Sequence, residues 1–294
     1  MNNAVMSETS KVNYRRPLNP QQLKTLHLLY WYRFCTSKQL ARSLGRSSHK
    51  AIQSKLQILE AQGLIGKRYD KSYKLAGRSA EYYITPKGAR QLEQAKPDTT
   101  NQWATKSLYK NKTVSDDFLR HCIAVAEIAQ RLRAIHGDSK LEVVTKSYMA
   151  QYRYYPAWTP DLHLEMPSIG GAPTKHYFLD VWDGTKPFFV GVRKTRNYVN
   201  FKDSGNKDGN EWQADEQYPA ILAICEDEQV QKKLNRQMRR ILDEQWDEEL
   251  IFATTTRQQI GAATKATDRI WSKVEVDGES SNRSLAQLFP QNNI

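Results

Sequence analysis

Long apolar runs are missing from this 294-residue chain, and none approaches the roughly 18 residues of a membrane-spanning helix. The opening stretch Met-Asn-Asn-Ala-Val-Met-Ser-Glu also lacks the hydrophobic segment of a secretory signal. Both absences predict a soluble, cytoplasmic protein with no membrane partner. Cysteine is scarce as well. Cys35, Cys122 and Cys225 are odd in number, widely spaced and set among apolar neighbours, which argues against a disulfide framework or a cysteine zinc site and predicts reduced core thiols. A glycine-rich phosphate loop is absent. Acidic residues are few in one region only: residues 1–114 hold 6 Asp and Glu against 21 Lys and Arg, whereas the remainder holds 26 against 23. The net charge of +12 therefore belongs to the N-terminal part and predicts a polyanionic partner for it, bound with counterion release.

What is present begins with a pattern from Thr36 to Thr85. Thr36 or Ser37 N-caps a short helix whose apolar face is Leu40, Ala41 and Leu44, and Gly45 turns the chain. Ser47 or Ser48 caps a second helix with Ile52, Leu56 and Leu59 on its inner face. Arg46, Ser48, His49, Lys50, Gln53 and Lys55 lie near its start or exposed side, where a recognition helix meets base edges in the major groove. After Gly63, Leu64-Ile65 begin a strand, Glu81-Tyr82-Tyr83-Ile84-Thr85 return it, and the basic tip between them carries Lys67, Arg68, Lys71, Lys74 and Arg78 for phosphate contact. Helix, turn, helix and basic hairpin in this order predict a winged helix-turn-helix that binds double-stranded DNA. Solvated lysines with no partner are the bland alternative.

Around this unit the chain divides into a flexible basic arm (1–16), the winged helix-turn-helix (17–94), a linker without periodicity (95–114), an α/β unit (115–276) and a loose tail (277–294). Asn19-Pro20 opens a helix running to about Phe34. Ser115 caps a long helix with Phe118, Cys122, Val125 and Leu132 in a stripe, on which His121 reads as a packed histidine. Strands are expected at 141–145, 160–166, 176–182, 187–192, 220–225, 250–254 and near 271–276, with a helix over 226–245. Strand, helix and strand in succession imply an α/β fold with parallel crossovers.

One constellation in this unit resembles nuclease chemistry. Pro160-Asp161, Asp180-Val181-Trp182 and Lys194 follow the outline of the PD-(D/E)xK class, in which two acids on adjacent strands hold a divalent cation and a lysine two residues later assists the attacking water. Trp182 stands in the lysine's place and offers neither positive charge nor proton. Asp161 and Asp180 are thus the candidate metal ligands, Lys194 the candidate replacement, and magnesium the cofactor only if the site works. In the bland reading, Asp183-Gly184-Thr185 is simply a turn.

With the winged helix before them, Pro160-Asp161-Leu162-His163-Leu164 and Phe178-Leu179-Asp180-Val181-Trp182-Asp183-Gly184-Thr185, followed by Lys194 and Tyr198, resemble the replication-relaxation family over roughly residues 20–225. That family's segment usually reads Glu-x-Asp-x-Gly-Thr; this chain has a shorter acid at Asp180 and lacks the second acid at Trp182. The resemblance implies a restriction-endonuclease-like second domain and a DNA-binding protein of a plasmid or integrative element, accessory to replication, relaxation or mobilisation. It also implies a homodimer or a docked relaxase as partner. Two other functions stay open: a magnesium-dependent nuclease targeted by its winged helix, and a transcriptional regulator whose second domain binds a ligand or partner.

Overall fold

The computed structural model describes residues 17–69, 71–100, 107–167, 173–205, 211–212, 216–245 and 249–290; the expected arm at 1–16 lies outside them. Helix α1 (Pro20–Tyr32) starts where Asn19 and Gln22 cap each other's backbone N–H groups, with Pro20 in the first turn, where its missing N–H is not needed. The helix stops short of Phe34, which instead opens strand β1 (Phe34–Thr36). Thr36 then forms a capping box with Gln39 and begins α2 (Ser37–Ser43). Gly45, at φ 64°, makes the turn in a conformation that an L side chain resists. Helix α3 (Lys50–Ala61) follows, and Ser48 Oγ accepts from the Lys50 N–H at 3.2 Å.

Strands β2 (Ile65–Arg68) and β3 (Glu81–Ile84) pair antiparallel, with β1 on the other side of β3. Between β2 and β3 the expected plain hairpin tip instead holds a short helix, α4 (Lys71–Leu75), anchored by Tyr73, whose hydroxyl donates to buried Glu81 at 2.7 Å. Thr85 caps α5 (Pro86–Ala95).

Segment 107–113 is not bare chain. Leu108 and Asn111 are buried, and Arg33, the only described non-glycine residue with positive φ, donates from its guanidinium to Asn111 Oδ1 at 3.0 Å. Helix α6 (Asp116–His136) then begins on Ser115, with Asp116 and Asp117 at its positive end and Arg133 and His136 at its negative end.

Among the described residues, seven strands form the second sheet in the order β10-β9-β8-β7-β6-β5-β4. Here β4 is Glu142–Thr145, β5 Leu162–Met166, β6 Lys175–Trp182, β7 Ala220–Cys225, β8 Phe252–Thr256, β9 Trp271–Lys273 and β10 Ser281–Arg283. Only β6-β7 and β7-β8 are parallel. The mixed α/β class is as expected. Short helix α7 (Lys146–Met149) follows β4, α8 (Phe188–Ser204) links β6 to β7, α9 (Glu228–Gln245) links β7 to β8, and α10 (Arg257–Ala262) follows β8.

Two further expectations fail. Residues 188–192 are the start of α8, with Pro187 as its N-cap, not a strand: their β-branched and aromatic residues pass for a strand locally, but the parallel β6-β7 pair needs a crossover of about a dozen residues or more, for which a helix is the usual solution. The tail is not loose either, since β10 pairs with β9 and Leu285, Leu288 and Phe289 pack into the core. No helix among the described residues is long and apolar enough to cross a membrane. Cys35 and Cys225 are buried and Cys122 half-buried, all as free thiols.

Alternation in β6 divides the core. Tyr177, Leu179 and Val181 join Leu162, Leu164 and Leu132 on one face, while Phe178 and Trp182 face Tyr198, Phe201 and Met238 on the other. The first cluster runs without a break into Leu26, Leu29 and Ile52, so the basic N-terminal part and the large sheet share apolar contacts.

Gly88 gives a test of this packing. A Cβ there would lie 2.0 Å from the Leu64 carbonyl oxygen. Helix propensity alone favours Gly88→Ala by about 1 kcal/mol, whereas the close approach predicts a net loss of about 1–3 kcal/mol. Urea unfolding of the variant decides between the signs.

Candidate functional site

The antiparallel register that sets Leu162 opposite Leu179 brings the start of β5 beside the end of β6. Asp161 and Asp180 therefore meet although 19 residues separate them: the Asp161 N–H donates to Asp180 Oδ1 at 3.1 Å, and the Val181 N–H donates to Asp161 Oδ2 at 2.9 Å. Asp183 follows in the turn after β6, where Thr185 donates from its N–H at 3.1 Å and also from its hydroxyl.

Cations and donors converge on these three acids from separate elements. Lys146, first in α7, places Nζ 2.5 Å from Asp161 Oδ1. Lys194, on the second turn of α8, donates to Asp180 Oδ1, and one turn later the Tyr198 hydroxyl donates to Asp180 Oδ2 at 2.9 Å. From α6, His121 lies between two carboxylates, Nδ1 2.8 Å from Asp183 Oδ2 and Nε2 3.1 Å from Asp161 Oδ1. Arg257 of α10 stands 3.7 Å from Asp183 Oδ2.

Both ring nitrogens of His121 face carboxylate oxygens, which accept only, so the imidazolium is the form that satisfies them. Burial pulls the His121 pKa down, but the two aspartates override this and raise it above 6.5. Burial likewise opposes ionisation of Asp161, yet Lys146, Lys194 and His121 hold it well below the usual carboxylate range. Lys194 is pulled below 10.5 by burial despite its partner Asp180. Tyr198, buried beside Asp180, is pushed far up and stays a neutral donor.

The cluster opens into a cavity of about 570 Å³ whose walls include Lys146, Lys186, Lys194, Trp158, Trp182 and Phe188. Trp182, at the position of the missing nuclease lysine, stacks its edge on Phe188 with ring centres 5.3 Å apart and lies so close over Gly191 that a Cβ there would meet its ring at 2.4 Å. It is therefore a wall. The ammonium it cannot supply arrives from α8 as Lys194. In this arrangement a divalent cation does not fit: ammonium groups already sit on both Asp161 and Asp180, and every oxygen of the two accepts at least one hydrogen bond. Magnesium would have to displace Lys146.

A model of the replication-relaxation family matches residues 26–213, well over half of the chain. This chain belongs to the replication-relaxation family. In this replication-relaxation protein the match takes in the second half of α1, the whole basic region from α2 to β3, and His121, Lys146, Asp161, Asp180, Asp183 and Lys194; Arg257 lies beyond it. No curated protein and no solved structure matches the chain.

The expected DNA contacts of the replication-relaxation protein separate into two sets. Arg46, Ser48, Lys50 and Gln53 are exposed around the start of α3, with His49 half-buried among them, and Lys71 and Lys74 are exposed on α4; Lys67 on β2 is exposed beside Glu60, 3.6 Å away. The rest are engaged within the protein. Lys55 donates to Gln21, Arg68 donates to the Val114 carbonyl at 2.8 Å and to Asp116 at 2.6 Å, and Arg78 pairs with Glu81 at 3.0 Å over the Tyr73 ring.

Sequence reasoning found Asp161 and Asp180, and it placed Lys194 after a strand when it lies on a helix. It missed Lys146 and Arg257, which no spacing ties to the acids. His121 is packed as expected, but between charges and not in a purely apolar stripe. The cue was the set of acids in Asp161 and Asp183, which could stabilise an imidazolium. The sign of its pH dependence follows from the shifts. A raised His121 contributes stability that is complete below pH 6.5 and is lost as pH climbs through the folded value; the lowered Asp161 and Asp183 contribute above 3.8 and lose it as pH falls. His121→Gln is therefore expected to lower stability by about 3 kcal/mol near pH 5.5, with a smaller deficit in alkaline buffer. Urea unfolding of both proteins at the two pH values measures this; an equal deficit rejects the charged imidazole.

Proposed function

We propose that this replication-relaxation protein binds double-stranded DNA through α3 and the β2-α4-β3 segment as a winged helix-turn-helix of a mobile genetic element, with its large sheet acting as a nuclease-like scaffold. The carrying observation is the outer surface of α3: Ile52, Leu56 and Leu59 are buried on one side, leaving Arg46, Lys50 and Gln53 exposed at the helix start. The element order from α1 to β3, with a sheet ordered β1-β3-β2, supports the same reading. Family membership supports a role related to replication or relaxation. The scaffold then serves to dock a second copy or another mobile-element protein such as a relaxase, in the cytoplasm where the DNA lies.

DNA binding is tested by separating base reading from phosphate contact. Lys50→Ala or Gln53→Ala relaxes sequence preference by about 1–3 kcal/mol. Lys71→Ala and Lys74→Ala weaken specific and random duplexes alike and flatten the salt dependence. Arg68→Ala, because its guanidinium holds the start of α6, lowers stability more than it changes the salt slope. Titrations of both duplex types at several salt concentrations read all three, and affinity unchanged throughout sinks the winged-helix reading.

One observation favours DNA cleavage as a second reading: Lys194 restores an ammonium at Asp180. The neutral pairing of two acids with two lysines weighs against it. With magnesium or manganese, supercoiled and linear DNA are expected to remain intact, and Asp161→Ala to keep DNA binding. Metal-dependent cutting abolished by both Asp180→Ala and Lys194→Ala would make the nuclease the better reading.

A further inference from the structure

A second polar cluster lies toward the opposite end of the β5-β6 pair from Asp180, and neither the DNA-binding reading nor the aspartate cluster uses it. His163 and Glu165 are two residues apart on β5 and so project on one face, and the register sets His176 of β6 directly opposite Glu165. Three side chains with metal-ligand chemistry are thereby fixed on rigid backbone: one ligand atom from each of His163, Glu165 and His176 lies within 4.8 Å of the others. His163 Nε2 and His176 Nδ1 are 3.0 Å apart, while Glu165 Oε1 lies 3.3 Å from His163 Nδ1, the other nitrogen of that ring. Ligands at about 2.0–2.1 Å from a tetrahedral zinc ion stand roughly 3.3 Å from one another. Glu216 sets a second carboxylate against His176 Nε2, the ring nitrogen turned away from His163.

The cluster is enclosed and held. His176 is 4% exposed, and its Nε2 meets the Glu216 carboxylate, which fixes the orientation of the ring. Trp212 is 7% exposed and covers both imidazoles, with ring centres 5.5 and 5.4 Å from theirs.

We propose that His163, His176 and Glu165 form a zinc-type divalent metal site that fastens β5 to β6, with Glu216 orienting His176 from the far side of its ring. Two imidazoles with a carboxylate suit zinc or a neighbouring transition ion and not magnesium, which prefers oxygen ligands alone. The metal-free alternative is a hydrogen-bonded row: the Tyr155 hydroxyl, 2.6 Å from His163 Nδ1, donates to it, and His163 Nε2–H passes to His176. In that row the unprotonated His163 Nδ1 faces Glu165 Oε1, so the half-buried Glu165 carboxylate gains no donor from it, whereas a cation would supply the missing positive charge. Its position explains why a metal would matter, since Asp161 precedes His163 by two residues and the same strand pair carries Asp180.

The test uses the full-length protein with any affinity tag removed, stripped with chelator and titrated with zinc sulfate by calorimetry, with metal content read after dialysis. One zinc per chain and a higher melting temperature are expected, with no effect of excess magnesium. Glu165→Gln keeps the shape and removes the charge, and should weaken zinc binding about tenfold or more; His176→Gln should do the same. Circular dichroism of the stripped variants establishes that they are folded, and should His176→Gln fail to fold, Glu165→Gln decides. Wild-type protein that retains no zinc overturns the proposal, as does undiminished uptake by folded Glu165→Gln protein.

Discussion

Burying charge at the end of a strand pair is the constraint on which the rest of this structure depends. Asp161, Asp180 and Asp183 are drawn together by the β5-β6 register, and a buried carboxylate without a partner would be too costly to keep ionised. The compensating groups come from α6, α7, α8 and α10, so satisfying the acids fixes four helices against one sheet end. Whether or not a phosphate ever enters the adjacent cavity, these contacts fix how the helices meet the sheet.

Helix α6 carries that constraint to the basic part of the molecule. Two residues after His121, the Ile123 carbonyl accepts from the Gln39 side chain of α2 at 2.9 Å, and further along Gln130 donates to the Gln39 carbonyl at 3.0 Å and to Ser43. At its start, Asp116 takes the guanidinium of Arg68. The helix that supports the aspartate cluster therefore also supports α2, which positions α3. Positive charge divides accordingly: arginines at the seam, Arg33, Arg68 and Arg78, are held by hydrogen bonds, and lysines on the outer surface, such as Lys50, Lys71 and Lys74, remain in solvent. Planar guanidinium groups suit the first use, because they make several directed bonds at once.

Much of this was determined by the sequence alone, because the deciding physics is local. Caps at Asn19, Thr36, Thr85 and Ser115 act within one turn of chain, and so do the apolar period of Ile52, Leu56 and Leu59 and the charge imbalance of residues 1–114. Most strands were legible by alternation, and Asp161 with Asp180 by their place at strand ends. Only the tertiary structure decided the rest. Residues 188–192 have the composition of a strand and became helix within a parallel crossover; Ser281–Arg283 has almost no strand signal and became β10 because β9 offered an open edge. Lys146 and Arg257 found the aspartates, and His163, Glu165 and His176 found one another, through register and packing between segments distant in the chain. A charge meeting a partner through space leaves no period in the sequence, and so only the folded chain could pair them.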